Sequence, residues 1–163
     1  MIFLYIWSTK LLHLRLDWGD YMYIVCDENI PPKIPDAIKL LDMTAQYYEV
    51  HTIRELGLLS TKDVDLFKEL KSRATAKHMK CIFITGDVNI FKRKPELQAF
   101  KNNKIIAFIY PPSYGNKPLW ERSVYMMSCW SAILEVAQKA HEKDIFLLPA
   151  HSGILNSKRI KKK

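Results

Sequence analysis

The sequence predicts an α/β protein, a three-layer α/β/α sandwich around a central, mainly parallel sheet. Short runs that are apolar throughout alternate with amphipathic segments, and such runs are typical of parallel strands covered by helices on both faces. The length of 163 residues suits one domain with a real core. Hydrophobic residues make up 48%, and only 5 Gly and 8 Pro occur, which excludes a disordered or fibrous chain.

Each predicted element follows from a local pattern. The predicted strands are the apolar runs 21–25, 47–53, 81–85, 105–110 and 145–148. The predicted helices are 35–41, 63–79 and 119–141, where apolar residues recur at three- and four-residue spacing. Ser60 or Thr61 is expected to cap the second helix, with Val64 on its apolar face, and Val124 and Met127 are expected to face inward in the third helix.

The pattern divides the chain into a domain over residues 22–152, an N-terminal extension over 1–21 and a basic tail over 153–163. The opening apolar run of seven residues is too short to span a membrane, and charged residues follow it. No positive charge precedes that run, so it does not resemble a signal peptide. The extension is either the product of an upstream start before Met22 or an extra apolar strand or helix used in association.

Charge and cysteine content narrow the class of partner and the compartment. The chain has 25 Lys and Arg against 17 Asp and Glu, a formal charge of +8, which favours nucleic acid or an acidic protein as partner. Cys26 and Cys81 lie in apolar runs, and Cys129 is far from both, without the spacing of a zinc site. We expect buried, reduced thiols in a cytoplasmic protein.

Acidic residues follow two of the predicted strands and begin one predicted helix. Asp27 and Glu28 follow the first strand, Asp87 follows the third, and Asp63 opens the second helix. In a parallel sheet the ligand crevice lies at the carboxyl ends of the strands. Clustered carboxylates repel one another, and a divalent cation relieves that repulsion. Oxygen ligands favour a hard ion, so the sequence predicts Mg²⁺ or Mn²⁺.

Three segments resemble successive signature blocks of the PIN-like nuclease families that start with D-E-N-L-P, relatives of the PIN domains of bacterial toxin ribonucleases. The segments are VCDENIPPKIPDAI, TIRELGLLSTKDVDLFKEL and CIFITGDVNIF, and together they cover roughly residues 22–110. The resemblance implies that Asp27, Asp63 and Asp87 are the catalytic metal ligands. Glu28 is a secondary candidate, and so is Asn89, which stands where the family has a second acid.

The resemblance implies a metal-dependent ribonuclease, and the toxin of a toxin–antitoxin pair as its narrower role. RNA, an antitoxin-like protein and a second copy of the chain are the expected partners, and no membrane is expected. Lys92, Arg93 and Lys94 follow the acidic block and are expected to position a nucleic-acid backbone. Tyr110, Tyr114 and Trp120 are either base-stacking residues or packing residues. These three aromatic residues flank a proline-containing loop.

Two alternatives remain from the residues alone. One is a non-catalytic module that binds nucleic acid or protein and whose site has decayed at Asn89. The other is a phosphoacceptor receiver domain, with paired acids after the first strand, an Asp after the third strand and a Lys-Pro pair at Lys117. The order of elements disfavours the receiver, because its Lys-Pro pair should follow a fifth strand.

Overall fold

The computed structural model describes residues 21–42, 47–150 and 158–159, the last two through their backbone. The strands are β1 (Met22–Cys26), β2 (Tyr48–Thr52), β3 (Lys80–Thr85), β4 (Ile106–Ile109), β5 (Ile145–Leu147) and β6 (Lys158–Arg159). The helices are α1 (Lys33–Leu41), α2 (Asp63–Ala76), α3 (Lys94–Asn102) and α4 (Leu119–Lys139), with a 3₁₀ turn over Pro112–Tyr114. None of these helices is long and apolar enough to cross a membrane.

The strands form one sheet in the order β2-β1-β3-β4-β5-β6. β1 to β5 run parallel, and β6 pairs antiparallel with β5. This arrangement confirms the predicted α/β class with a mainly parallel sheet. The predicted extension over 1–21 lies outside the described residues apart from Tyr21, and the predicted tail lies outside them apart from β6.

The core has two parts, one on each face of the sheet. Ile24 and Val25 are neighbours in β1, both are fully buried, and their side chains belong to different core clusters because successive strand residues point to opposite faces. Residues from α1 and α4 pack on the Ile24 face, and residues from α2 and α3 pack on the Val25 face. The sheet is therefore the middle layer of the predicted three-layer sandwich.

Helix α3 has no counterpart among the predicted elements. Its first turn carries Lys94 and Pro95, which resemble the continuation of a basic loop, and only Ala99 and Phe100 are buried. The ring of Phe100 packs edge-on against Phe67, with centroids 5.7 Å apart, and against Phe91, 4.9 Å apart. A single aromatic anchor thus holds a helix whose sequence pattern is too weak to predict it.

The predicted cap of α2 was wrong, and so was part of the predicted apolar face of α2 and of α4. Lys62 is the N-cap residue of α2, and no side chain caps this helix, so neither Ser60 nor Thr61 has the predicted role. Val64 and Val124 are 43% and 45% exposed. In the first turns of α4 the buried residues are Tyr125 and Met126 rather than Val124 and Met127, because the run 124–127 is apolar throughout and its periodicity is ambiguous. Further along the helix, Trp130, Ile133, Leu134 and Ala137 are buried. The hydroxyl of Tyr125 donates to the carbonyl of Pro149 (2.6 Å), which helps to hold Tyr125 inward.

The three cysteines are buried free thiols, as predicted for Cys26 and Cys81 from the apolar runs that contain them. Burial raises the pKa of Cys26 to about 12 and that of Cys81 to about 12. Thiols at these two positions are held in the neutral, unreactive form at physiological pH.

Candidate active site

The direction of the strand connections reverses between β1 and β3, where a parallel α/β sheet is expected to have its ligand crevice. The chain leaves β1 toward α1 on one face of the sheet and leaves β3 toward α3 on the other face. Ligands of parallel α/β sheets bind at such a reversal, where the two departing connections separate. Asp27 directly follows β1, and Asp87 stands two residues after β3. The sheet therefore places two of the predicted acids at the carboxyl ends of adjacent strands.

The carboxylate of Asp27 is buried, 8% exposed, and three groups donate hydrogen bonds to it. The backbone N–H of Glu28 donates to Oδ1 (2.8 Å), and the side-chain amide of Asn29 donates to Oδ2 (2.9 Å). The hydroxyl of Thr85 donates to Oδ2 as well (2.6 Å). Donors of this kind compensate the loss of water around a buried charge, so Asp27 is held as an oriented acceptor.

Thr85 is a site residue that the sequence analysis missed. Its hydroxyl donates to Asp27 and at the same time accepts a hydrogen bond from the backbone N–H of Asp87 (3.0 Å). The side chain is fully buried. Its only sequence signal is a hydroxyl residue at the end of an otherwise apolar strand, directly before Gly-Asp. One buried hydroxyl thus connects the two acids that follow β1 and β3.

Asp63 and Asp87 converge on one cationic nitrogen. The Nη2 atom of Arg93 lies 3.0 Å from Oδ2 of Asp63 and 3.4 Å from Oδ2 of Asp87. The other oxygen of Asp87 accepts the backbone N–H of Asn89 (2.8 Å), which orients the carboxylate. The carboxylate at the start of α2 and the one after β3 are therefore close enough to share one positive charge.

The charges of neighbouring carboxylates also affect the pKa of Asp63. Burial raises the pKa of the Asp63 carboxyl above its ordinary value, and the Arg93 guanidinium opposes that shift. The nearby charges of Asp27, Glu96 and Asp87 raise it further. The cluster of negative charge therefore contains the three predicted metal ligands and a fourth acid that was not predicted.

Glu96 is that fourth acid, in the first turn of α3. Its Oε1 lies 3.4 Å from Nε of Arg93, and its side chain is 17% exposed. Its Oε2 is buried and finds no hydrogen-bond partner among the residues that the structure describes. Glu96 was not predicted as a site residue because the helix that carries it was not predicted.

The remaining predicted site residues lie around this cluster. Glu28 is exposed, and its backbone rather than its side chain contacts Asp27. Asn89 is exposed, and its Oδ1 accepts a hydrogen bond from Nζ of Lys92 (3.0 Å). Lys94 is also exposed. Arg93 is 49% exposed and turns toward the acids.

The aromatic residues around the proline-containing loop, for which base stacking and packing were the two alternatives, differ in exposure. Tyr110 is 2% exposed and packs edge-on against Tyr114, with ring centroids 6.0 Å apart, and against Tyr125, 5.2 Å apart. Its burial excludes an open stacking face. Trp120 is 77% exposed and remains accessible.

The donor set of the cluster suits a hard divalent cation. Mg²⁺ commonly binds one or two carboxylates, and waters and substrate phosphates complete its shell. Asp63 and Asp87 meet that requirement because both contact one cation. Glu96, whose Oε2 has no hydrogen-bond partner among the described residues, adds a further carboxylate beside them. Within residues 21–42 and 47–150, no three His, Cys, Asp or Glu side chains are arranged around one metal position. Joint ligation by Asp27, Asp63 and Asp87 therefore stays a prediction.

A three-layer α/β fold with a cluster of acids near the reversal of the strand connections defines the class of this protein. The family described as PIN like domain matches residues 22–111, more than half of the chain, and the chain therefore belongs to this family of mostly nucleases. The match runs from the start of β1 to just beyond β4 and includes every acid of the cluster. No curated protein and no solved structure gives a significant match.

The chain belongs to the PIN-like family, so the alternative that it is a phosphoacceptor receiver domain is set aside. Lys117 lies between β4 and α4, not after β5. Its ammonium group contacts Glu121 (3.3 Å) on the first turn of α4. The position of the Lys-Pro pair thus agrees with the sequence argument against a receiver domain.

Proposed function

We propose that this PIN-like protein is a Mg²⁺- or Mn²⁺-dependent endoribonuclease that hydrolyses phosphodiester bonds. The observation that carries the proposal is the convergence of Asp63 and Asp87 on one cation, at the sheet edge where Asp27 is also held. A structural ion pair needs only one carboxylate for each arginine. Acids that come from a helix and a loop and meet beside a third, buried carboxylate favour a cation-dependent site.

Each acid has a distinct task in this proposal. Asp63 and Asp87 would hold the cation, and Asp27, fixed by its three donors, would complete the site or orient a water. A bound divalent cation would polarise the scissile phosphate and lower the pKa of an attacking water. Thr85, which bonds both the Asp27 carboxylate and the Asp87 backbone N–H, would hold these two residues in a fixed relative position. Asn89 adds no negative charge where the family has a second acid.

The basic residues beside the crevice would supply attraction for RNA. Lys92 and Lys94 are exposed on the segment that leads from Asp87 into α3. Their charges, with the overall charge of +8, favour contacts with phosphates that position a strand without reading its sequence. The basic residues are therefore proposed to position RNA beside the acids.

Cleavage of a fluorescent single-stranded RNA by the purified protein tests the function. We expect cleavage with Mn²⁺ or Mg²⁺, none with EDTA, and none with the Asp63→Asn or Asp87→Asn variant. Asp65→Asn is the matched control, because Asp65 is an exposed acid on the same helix turn as Asp63. Equal cleavage by wild type and Asp87→Asn, with contaminating ribonuclease excluded, would refute the proposal.

We propose the toxin of a toxin–antitoxin pair as the narrower role, with an acidic antitoxin-like protein as partner. The net charge of +8 favours such a partner.

Induced expression of the wild-type protein in a bacterial host should then arrest growth, and expression of the Asp87→Asn variant should not. Light scattering of the purified protein tests whether it forms the proposed homodimer. Normal growth during expression of a cleavage-competent protein would contradict the toxin role but not the nuclease.

A non-catalytic module that binds nucleic acid or protein is the second candidate. The observation that favours it is the pairing of Arg93 with both Asp63 and Asp87, which already neutralises charge in the cluster. Binding of single-stranded RNA without cleavage, at millimolar Mn²⁺, would support this candidate over the nuclease.

A further inference from the structure

We infer that Arg93 is a built-in competitor of the divalent cation: its guanidinium neutralises Asp63 and Asp87 in the metal-free protein and must leave them when a cation binds. The inference rests on the proposed metal dependence of the site. It concerns how readily the site is loaded with metal, which the proposed function leaves open.

The first argument is the position of the guanidinium. Its Nη2 contacts the same Oδ2 atoms of Asp63 and Asp87 that converge in the cluster, and its Nε faces Glu96. A Mg²⁺ ion binds oxygen at about 2.0–2.1 Å, so an ion on these two oxygens would lie beside Nη2. Two positive groups at such a distance repel strongly in a partly buried site. Guanidinium and metal therefore exclude each other from these two carboxylates.

The second argument is that Arg93 is free to leave. It is the residue before α3, with an extended backbone (φ −77°, ψ 125°), and its side chain is 49% exposed. A long side chain at a helix entry can swing into solvent without disturbing the core. Its neighbours Lys92 and Lys94 are exposed, so a displaced Arg93 would join them as a phosphate ligand.

The third argument concerns the charge left behind. Without a cation, the mutual repulsion of Asp27, Asp63, Asp87 and Glu96 has to be offset, and Arg93 contacts the last three of these acids. Arg93 thus stabilises the metal-free fold at the expense of metal affinity. Removing it should have opposite effects on these two properties.

The test compares Mn²⁺ binding by wild type, Arg93→Met, Arg93→Lys and the control Lys101→Met, measured by the electron paramagnetic resonance signal of free Mn²⁺. Lys101 is an exposed lysine in the last turn of α3. We expect Arg93→Met to bind Mn²⁺ about tenfold more tightly or better, a coupling of ordinary size. Arg93→Lys, which keeps the charge but loses the planar fork, should fall between Met and wild type. Lys101→Met should bind like wild type.

Thermal unfolding gives a second readout that does not depend on activity. In EDTA the Arg93→Met variant should melt below wild type, and saturating Mn²⁺ should raise its Tm more than that of wild type. Mn²⁺ affinity in Arg93→Met that equals or falls below that of wild type would overturn the inference. Failure of every variant to bind Mn²⁺ would overturn it too, together with the proposed metal site.

The two proposals can fail separately. Tighter Mn²⁺ binding by Arg93→Met, without RNA cleavage by any variant, would support the competition and contradict the ribonuclease. RNA cleavage by wild type with unchanged Mn²⁺ affinity in Arg93→Met would support the ribonuclease and contradict the competition.

Discussion

The hydroxyl of Thr85 donates a 2.6 Å hydrogen bond to Oδ2 of Asp27, although 58 positions separate the two residues. β1 and β3 are adjacent and parallel, with Cys26 opposite Ile84, so their carboxyl ends lie side by side. The bond joins the first acid of the site to the strand that leads to Asp87. The orientation of Asp27 thus depends on a neutral residue of the neighbouring strand.

Replacing Thr85 with Val tests this dependence. Val has nearly the same shape but no hydroxyl, so Asp27 loses a donor and the N–H of Asp87 loses its acceptor. We expect the free energy of unfolding in urea to fall by about 1–3 kcal/mol, together with a loss of RNA cleavage. Thr85→Ser keeps the hydroxyl and should retain most of both. Equal stability and cleavage in Thr85→Val and Thr85→Ser would show that the hydroxyl is not needed.

Asp63→Asn should make the metal-free protein more stable at pH 7. The pKa of Asp63 is raised in the folded state, first by burial, so the folded protein favours the neutral carboxyl. A group with a raised folded pKa loses stabilisation as pH rises through that value, and Asn avoids the loss. The advantage of Asp63→Asn should shrink as pH falls and vanish below the ordinary Asp pKa of about 3.9.

Urea unfolding in EDTA across pH 3–7, with Asp65→Asn as control, measures this difference. The exposed Asp65 should change stability by no more than about 0.5 kcal/mol at any pH. A stability difference between wild type and Asp63→Asn that does not vary with pH would contradict the raised pKa.

Tyr48→Phe should lower the free energy of unfolding by weakening the contact between β2 and α4. The indole N–H of Trp130 in α4 donates to the Tyr48 hydroxyl in β2 (3.0 Å), and that hydroxyl bonds the carboxylate of Asp42. Phe keeps the ring but leaves a buried indole N–H without its acceptor, at a cost of about 1–3 kcal/mol in urea unfolding. Tyr21→Phe is the control, since Tyr21 is 53% exposed. The idea fails if both variants unfold at the same urea concentration.

Deleting residues 1–21 should leave a folded domain with unchanged cleavage. β1 starts at Met22 and is already paired on both sides, with β2 and β3, and every acid of the site follows it. Circular dichroism and cleavage by the truncated protein measure the outcome. If the segment instead supplies a strand, it would pair with an outer strand of the sheet, β2 or β6, each of which has one edge without a partner strand among the described residues. Aggregation of the truncated protein would favour that alternative.

The alternation of apolar runs and amphipathic segments determined the layer architecture, because a strand buried on both faces must be apolar throughout. The same patterns placed Asp27 and Asp87 at strand ends and Asp63 at a helix start, since element boundaries are encoded locally. Local patterns failed at α3, where one buried aromatic, Phe100, replaces a periodic apolar face.

Only the tertiary structure decided which side chains meet. Arg93 contacts Asp63 across 30 positions, and Thr85 contacts Asp27 across 58, and both contacts depend on β1 and β3 being neighbours with α2 and α3 on one face. Sequence spacing carries no such information, because Coulomb interactions and hydrogen bonds act through distance in space. The residue types at the crevice were determined by the sequence by itself, whereas the pairing of Asp63 and Asp87 through one guanidinium was set by packing.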